Sequence, residues 1–259
     1  MIISVVNNKG GVGKTCCSSN LAHALSLRGV KVLLVDNDPQ SNSTSLMLGA
    51  GANPEFTLFD VFRDSVPIEK CTYTTPYGVD VIPNSNRTDT LELELYQNPA
   101  TSYLLLRKAV REFALKNYDI ALIDCPPTLG LWVVQALIAS DACIVPIESG
   151  STFSLDGLAS VYSAIEGVAT KANHDLKFLK ALINKVDLRT GTSKRMVEMM
   201  RSRYSGQVFD TTIPSNDDIK KAEGHRKTVL SFAPQSSGAK RFRQLADEVI
   251  TLLELHHDS

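Results

Sequence analysis

The chain lacks a long apolar run, a cysteine framework and a strong net charge. No apolar run approaches the roughly 20 residues that span a bilayer. The apolar start at residues 2–6 is too short for a signal peptide and has no basic lead-in. The five cysteines form no C-x-x-C motif, which indicates reduced thiols rather than a disulfide framework. We therefore expect a soluble, cytoplasmic protein.

The bulk composition excludes disordered and fibrous classes. Hydrophobic residues make up 43% of the chain and charged residues 21%, while Gly and Pro are ordinary. A length of 259 residues predicts one domain over residues 1–259, since α/β chains of about 200–250 residues often share a single core. No repeat, low-complexity tract or linker divides the sequence.

The net charge of −1 conceals an uneven distribution. Residues 188–243 contain 12 Lys/Arg against 5 Asp/Glu, so the rest of the chain is acidic. Such an asymmetry indicates a surface that faces a polyanion, either nucleic acid or anionic lipid, although a solvated helical face would give the same pattern. The basic side chains singled out here are Arg189, Lys194, Arg195, Arg201, Arg203, Lys220 and Lys221.

Short apolar runs alternate with longer amphipathic ones. The runs predict strands at residues 2–6, 30–35, 79–82, 120–123, 142–147 and 178–183. The amphipathic stretches predict helices at residues 14–28, 102–116, 154–172, 193–204 and 239–255. This alternation predicts a doubly wound α/β fold, in which a mostly parallel sheet carries helices on both faces and the crossovers are right-handed.

A glycine-rich loop follows the first strand. It reads Lys9-Gly10-Gly11-Val12-Gly13-Lys14-Thr15 and opens a helix. Glycines let successive backbone N–H groups point at a phosphate, and the helix amino terminus adds the positive end of its dipole. We expect Lys14 to reach the β- and γ-phosphate oxygens and the Thr15 hydroxyl to ligate Mg²⁺. The usual motif begins with Gly where this chain has Asn8, so the loop is a variant with an added Lys9.

This variant resembles the deviant Walker A sequence of the ParA/MinD family of P-loop ATPases, and most closely the ParA/Soj-type partition ATPases. Two later stretches, Leu33-Leu-Val-Asp36-Asn-Asp38-Pro-Gln40 and Ile120-Ala-Leu-Ile-Asp124-Cys-Pro-Pro127, resemble the family's Walker A-prime element and Walker B strand. Pro146, followed by Phe153-Ser-Leu-Asp-Gly157-Leu, resembles its later strand–helix junction. The similarity covers most of the chain.

The resemblance implies an ATPase that uses ATP and Mg²⁺, with Lys9, Lys14 and Asp38 as its catalytic residues. Lys9 is expected to reach the partner subunit's nucleotide, so that ATP lies between two protomers and Lys9 stabilises charge on the γ-phosphate. A solvated loop lysine is the alternative interpretation of Lys9. Asp38 is implied to orient the attacking water at the metal side of the site.

Two further aspartates are implied to act around the metal. Asp124 would be an outer-sphere Mg²⁺ carboxylate, because a buried aspartate without a partner costs several kcal/mol. Asp36 would join the hydrogen-bond network on the magnesium side, with a structural cap as the alternative.

The nucleotide contacts beyond the loop are Cys16, Asn184 and Pro214. The family holds adenine near the loops that contain Asn184 and Pro214, although both are also ordinary loop residues. Cys16 and Cys17 stand where the family commonly has hydroxyl-bearing or small residues. A thiol is the weaker hydrogen-bond donor, so we expect the α-phosphate contact of Cys16 to depend on its backbone N–H.

The site residues do not identify what such an ATPase binds and moves. The resemblance implies DNA as the first candidate for what it binds. ATP-bound homodimers of ParA type bind DNA non-specifically, and a ParB-like adaptor protein stimulates hydrolysis, so the protein would lie on the nucleoid and position a plasmid, a chromosome or another cargo. The basic excess supplies the charge for this. Ser215-Asn-Asp217-Asp218 stands where many partition ATPases carry arginines, which weakens this loop as a DNA contact.

Three other functions stay open. A MinD-like membrane ATPase needs a basic amphipathic tail, but residues 249–259 are apolar and then acidic, so we expect no stable membrane association. An electron carrier needs cysteines that share a cluster, and Cys125 and Cys143 are not spaced for that. A metabolic ligase can use the same fold, but no acceptor-substrate constellation is present.

Overall fold

The computed structural model describes residues 1–149, 154–187 and 189–254. Within these residues, seven strands form one sheet in the order β3-β4-β2-β5-β1-β6-β7. They are β1 (Ile2–Val5), β2 (Val32–Asp36), β3 (Tyr73–Thr74), β4 (Val79–Ile82), β5 (Ile120–Asp124), β6 (Ala142–Glu148) and β7 (Lys177–Asn184). All neighbouring strands pair in parallel except β3, which runs antiparallel to β4 at the edge.

The helices connect these strands and cover the sheet. They are α1 (Lys14–Ser26), α2 (Asn42–Leu48), α3 (Leu58–Asp64), α4 (Asp89–Leu95), α5 (Pro99–Ser102), α6 (Leu105–Asn117), α7 (Leu131–Ala139), α8 (Ser154–Lys171), α9 (Gly191–Arg203), α10 (Asp217–Gly224), α11 (Val229–Phe232) and α12 (Ser237–Leu252). Short 3₁₀ turns occur at Ile68–Cys71 and Asn86–Thr88.

Helices lie on both faces of the sheet because successive strand residues point to opposite sides and are apolar on both. In β2, Leu33 and Val35 face the core that contains α6, α7 and α8, whereas Val32 and Leu34 face the core that contains α1 and α12. All five residues of β2 are buried. The predicted doubly wound fold is therefore confirmed.

The predicted strands are confirmed to within two residues at each end. The five long helices are confirmed with small shifts: the one predicted at residues 102–116 is α6, and the one predicted at residues 239–255 is α12, which ends at Leu252. Residue 255 lies outside the described residues. Helices α2, α3, α4 and α10 contain seven or eight residues each, too few for a helical period to be recognised in the sequence.

The carboxyl ends of the central strands bring distant parts of the chain to one edge. Strand β5 pairs with β1 on one side and β2 on the other, and the register places Asp124 beside both Val5 and Asp36. In open α/β sheets, ligands bind at this edge, where the strand order reverses. The predicted loop and the predicted carboxylates therefore lie together.

Candidate nucleotide and metal site

The glycine-rich loop joins β1 to α1 in a conformation that its glycines permit. Gly11 and Gly13 have φ angles of 74° and 89°, a region that side-chain-bearing residues rarely adopt. A Cβ on Gly13 would lie 2.4 Å from Nδ2 of Asn184. Helix α1 begins at Lys14, so its unpaired N–H groups face the loop's cavity, as phosphate binding at a helix amino terminus requires.

Three side chains donate hydrogen bonds to the loop's carbonyl groups. Lys14 donates from Nζ to the carbonyl of Lys9 at 3.1 Å, Asn184 donates from Nδ2 to that of Val12 at 2.8 Å, and Lys185 donates from Nζ to that of Gly11. These hydrogen bonds fix three carbonyl groups of the loop, and backbone N–H groups in such a loop are the groups that bind an anion.

Lys14 is buried, with 7% of its surface exposed. Burial lowers the pKa of Lys14, while the negative charges of Asp124 and Asp38 oppose that shift. The predicted phosphate-binding lysine thus lies between the loop and the acidic group, where it can bridge a phosphate to the metal side.

Asp124 is the unusual group of the site. It is fully buried, and neither carboxylate oxygen has a hydrogen-bond partner among the described residues. Burial, and next the negative charge of Asp36, raise its pKa to about 7, whereas the nearby hydroxyls of Thr15 and Ser18 act in the opposite direction. Such a carboxylate is costly unless a ligand compensates it.

Mg²⁺ fits this arrangement. The ion takes oxygen ligands, keeps several waters and binds through one or two carboxylates together with substrate phosphates. Thr15 and Asp38 line the phosphate cavity with Lys14, and Asp124 lies close enough for its pKa to respond to both Thr15 and Asp38. These three residues, predicted as metal-side groups, would hold the ion, which would neutralise charge on the phosphates.

Asp36 and Asp38 are only two residues apart, but their carboxylates make different contacts. Asp36 accepts from the backbone N–H and hydroxyl of Thr44 at 2.8 and 2.6 Å, which anchors the first turn of α2. Burial raises its pKa to about 6 against these hydrogen bonds. Asp38 accepts from the backbone N–H of Gln40 at 2.9 Å and lines the phosphate cavity. Asp38 is therefore placed for the nucleotide, and Asp36 holds the neighbouring segment.

Lys9 lies at the rim of the site and is held within its own subunit. Its Nζ is 3.4 Å from Oε2 of Glu148, and Lys185 Nζ is 3.9 Å from Oε1 of the same carboxylate. The Lys9 side chain is 39% exposed, so it remains accessible from outside. Glu148, at the end of β6, thus pairs with Lys9 of the loop and with Lys185, which follows β7.

Two adjoining cavities make up the nucleotide site. One, of about 410 Å³, is lined by Gly10, Gly11, Gly13, Lys14, Thr15 and Asp38, among others. The second, of about 290 Å³, is lined by Asn184, Pro214, Ser215 and Asn216. Cys16 and Gly13 line both. The combined volume is in the range of small-molecule sites, and the two predicted adenine contacts, Asn184 and Pro214, are together in the second cavity.

Sequence reasoning missed three charged residues here: Glu148, Lys185 and Glu223. Lys185 and Glu223 line both cavities, and Glu148 lines the second. Lys185 has a φ of 54°, and such a conformation in a residue other than glycine often marks a functional site. In the sequence, only its position next to Asn184 indicates that Lys185 belongs to the site. Nothing comparable indicates Glu148 or Glu223.

The predicted basic residues fall into two groups. Arg189, Lys194, Arg195, Arg201 and Arg203 are exposed on α9 or just before it, and Lys220 and Lys221 are exposed on α10. Some are already engaged: Arg189 pairs with Asp187 at 2.9 Å and Lys220 with Asp217 at 3.6 Å.

The two aspartates that disfavour DNA have a structural explanation. Asp217 and Asp218 form the first turn of α10, where negative charge is favourable to the helix dipole. Asn216 caps the same turn, accepting from the N–H of Asp218 at 2.7 Å and of Ile219 at 3.2 Å. The segment is therefore built to begin a helix, and Lys220 is partly neutralised by it.

Two further observations concern the membrane-ATPase and electron-carrier alternatives. Within the described residues, no helix is both long and apolar enough to cross a bilayer. In that same part of the chain, all five cysteines are free and buried, and no group of three or more His, Cys, Asp or Glu side chains is placed to hold a metal ion.

Comparisons with known proteins agree with this geometry. The AAA domain family matches residues 1–178. The sporulation initiation inhibitor protein Soj of Bacillus subtilis is 36% identical over 249 residues, which cover 96% of this chain and 97% of Soj. The chromosome partitioning protein ParA of Caulobacter vibrioides is 35% identical over 253 residues, covering 96% of this chain and 94% of that protein.

A solved structure is similar over nearly the same length. Cobyrinic acid a,c-diamide synthase of Mycobacterium smegmatis, with a bound ATP analogue and magnesium, superposes with a TM-score of 0.83 at 27% identity and covers 98% of this chain and 95% of that one. Sheet, loop and buried carboxylates together define a nucleotide-binding P-loop protein of the ATPase class. Within that class, the chain belongs to the Soj/ParA family.

Proposed function

We propose that the protein is a ParA-type ATPase, with one P-loop domain over residues 1–259, that uses ATP and Mg²⁺ to position or segregate a plasmid, a chromosome or another cargo. The single observation that carries this proposal is the accessible Lys9 at the rim of a complete phosphate loop, in a chain 36% identical to Soj over almost its whole length. Phosphoryl transfer requires positioning and positive charge more than covalent chemistry, and the site offers both.

In the proposed cycle, ATP joins two subunits. Binding of the triphosphate draws Lys9 away from Glu148, and Lys9 then reaches the γ-phosphate in the partner subunit's site. Lys14 neutralises charge on the phosphates, and Asp38 orients the attacking water. Thr15, Asp38 and Asp124 would hold a Mg²⁺ that supplies further positive charge there. A ParB-like adaptor or another cargo protein stimulates hydrolysis, which returns the subunits to the separate state.

The ATP-bound dimer binds DNA without sequence preference through the exposed basic side chains of α9. Dimerisation doubles the number of phosphate contacts, and DNA affinity rises steeply with that number. Lys220 contributes less, because Asp217 neutralises part of its charge, while Lys221 beside it is exposed. The protein would thus be cytoplasmic and associated with the nucleoid while ATP is bound.

A MinD-like role at the membrane is the alternative. The end of the chain that would decide it includes residues 255–259, which lie outside the described residues. Within the described part, α9 presents a basic surface and α12 carries its apolar residues into the core. We therefore favour DNA as the polyanion.

The experiment compares retention on unrelated duplex DNA and on anionic liposomes, with ATP, ADP or no nucleotide, across a salt series. ATP-dependent DNA binding that weakens with salt, and that falls in Arg201→Ala and Arg203→Ala, supports the proposal. Lys116→Ala, which removes an exposed cation from the end of α6, is the matched control and should bind as the wild type does. Liposome binding with indifference to DNA would contradict the proposal.

A further inference from the structure

Glu223 is a carboxylate that the proposed reaction does not use. It lies near the end of α10, and it forms no ion pair with any residue that the structure describes. It nevertheless lines both the phosphate cavity and the second cavity of the nucleotide site. Among the described residues, its one side-chain neighbour of note is the Cys16 thiol, a weak hydrogen-bond donor. A negative charge without a cationic partner is repulsive next to a triphosphate, so its position in this site requires an explanation.

The part of a nucleotide that Glu223 would meet follows from the order of the nucleotide's groups. The phosphates belong at Gly13, Lys14 and Thr15, and the base belongs in the second cavity. The ribose joins the two, so it must lie where the cavities meet. The four residues that line both are Gly13, Cys16, Lys185 and Glu223.

Only one of these four offers a charged acceptor. Gly13 has no side chain, Cys16 is a buried thiol, and Lys185 donates to the carbonyl of Gly11. Ribose hydroxyl groups donate hydrogen bonds, and a carboxylate only accepts them. Dinucleotide-binding folds use an acidic residue for the same group of the nucleotide.

The pKa shifts of two cysteines indicate that the Glu223 carboxylate lies near the first turn of α1. Burial, and next the negative charge of Glu223, raise the pKa of both Cys16 and Cys17. Glu223 is thus near the segment where the α-phosphate is expected, on the side of the sugar.

We propose that Glu223 accepts hydrogen bonds from the ribose hydroxyls and makes the site selective for ribonucleotides over deoxyribonucleotides. The inference requires only that the protein binds nucleotide, and neither DNA binding nor dimerisation. Hydrogen bonds to a charged acceptor at a partly exposed position correspond to a preference of about tenfold. Such a preference would keep deoxyribonucleotides from driving the switch.

The test measures the affinities of Mg-ADP, Mg-2′-deoxy-ADP and Mg-3′-deoxy-ADP by calorimetry, since the diphosphate keeps turnover out of the measurement. Wild type should prefer ADP to at least one deoxy analogue by about tenfold. Glu223→Ala should bind ADP more weakly than wild type does, with the same affinity as for the two deoxy analogues. Glu223→Gln, which keeps one acceptor oxygen, should retain part of the preference and also covers the case in which the alanine variant does not fold.

Asp218→Asn is the matched control. It removes a negative charge from the same helix, but it does not line either cavity, so it should keep the wild-type ratio. Equal binding of all three diphosphates by wild type, or an unchanged ratio in Glu223→Ala, would overturn this inference and leave the proposed function intact. Failure of wild type to bind ADP at all would instead refute the proposed function.

Discussion

Replacing Asp124 with Asn should stabilise the protein in the absence of metal and nucleotide, although it damages the site. In the folded protein, burial and the charge of Asp36 raise the pKa of Asp124 from 3.8 to about 7. In the unfolded chain the carboxyl group has its ordinary pKa. The folded state therefore favours the protonated form, and its stability falls as pH rises from about 4 to 7.

The magnitude follows from that shift. At about 1.4 kcal/mol per pKa unit, ionisation of Asp124 costs the folded protein about 4 kcal/mol at pH 8. Asn cannot ionise, but its buried amide would also be unpaired, at a cost of about 1–3 kcal/mol. We therefore expect Asp124→Asn to gain about 1–3 kcal/mol at pH 8. That advantage should shrink as the pH falls and disappear between about pH 4.5 and 6, where the two contributions are equal. Below about pH 4 only the cost of the unpaired amide remains, so the variant should be less stable than wild type there.

The assay is urea denaturation in EDTA from pH 4 to 8, followed by the same series with Mg-ADP. The control is Asp60→Asn, because Asp60 is buried but satisfied: it accepts from the backbone and hydroxyl of Thr57 at 2.7 and 3.0 Å, and from Arg87 at 3.2 Å. Its replacement should destabilise the protein. Saturating Mg-ADP should stabilise wild type by several kcal/mol and Asp124→Asn by much less. A metal-free Asp124→Asn that is less stable than wild type at pH 8 would refute the reasoning.

The remaining predictions concern the loop. Lys14→Ala should abolish nucleotide binding in calorimetry, because no other buried cation lines the phosphate cavity among the described residues. Gly13→Ala should lose binding and about 1–3 kcal/mol of stability in urea, since φ is 89° and a Cβ would lie 2.4 Å from Asn184. Gly10→Ala is the control for the loss of stability alone, because a Cβ there meets nothing within 4 Å, although Gly10 lines the phosphate cavity. Lys9→Ala should bind ATP but form no ATP-dependent dimer in light scattering, whereas Glu148→Gln, which frees Lys9, should dimerise at lower ATP. Unchanged dimerisation and turnover in Lys9→Ala would contradict the sandwich model.

The sequence was sufficient for the features that depend on local pattern. The phosphate loop, Asp38 and Asp124 each follow an apolar strand directly, so their place at one edge of a parallel sheet could be predicted before the structure was known. The helices on both faces follow from uninterrupted apolar strands in the same way.

The parts that could not be predicted depend on contacts between distant segments. Glu148, Lys185 and Glu223 come to the site from the ends of β6, β7 and α10. Apart from the position of Lys185 next to Asn184, nothing in their local sequence marks them. The anchoring of α2 by Asp36 depends on a contact with Thr44. The acidic start of α10 was interpreted for its effect on DNA, whereas its local role is to begin a helix. Strand register is set by tertiary packing, which a single sequence does not display. Asn216 followed by two aspartates is instead a local helix-start signal.

The attachment of the phosphate loop to β7 has a mechanical consequence. Asn184 and Lys185, at the end of this edge strand, hold the carbonyls of Val12 and Gly11. Strand β7 pairs with β6 on one side, and residues 185–190 connect it to basic helix α9. A shift of the loop on phosphate binding would therefore be passed through Asn184 and Lys185 to the connection that leads into α9. The nucleotide state would then be coupled, over a short stretch of chain, to the position of the basic helix that we propose binds DNA.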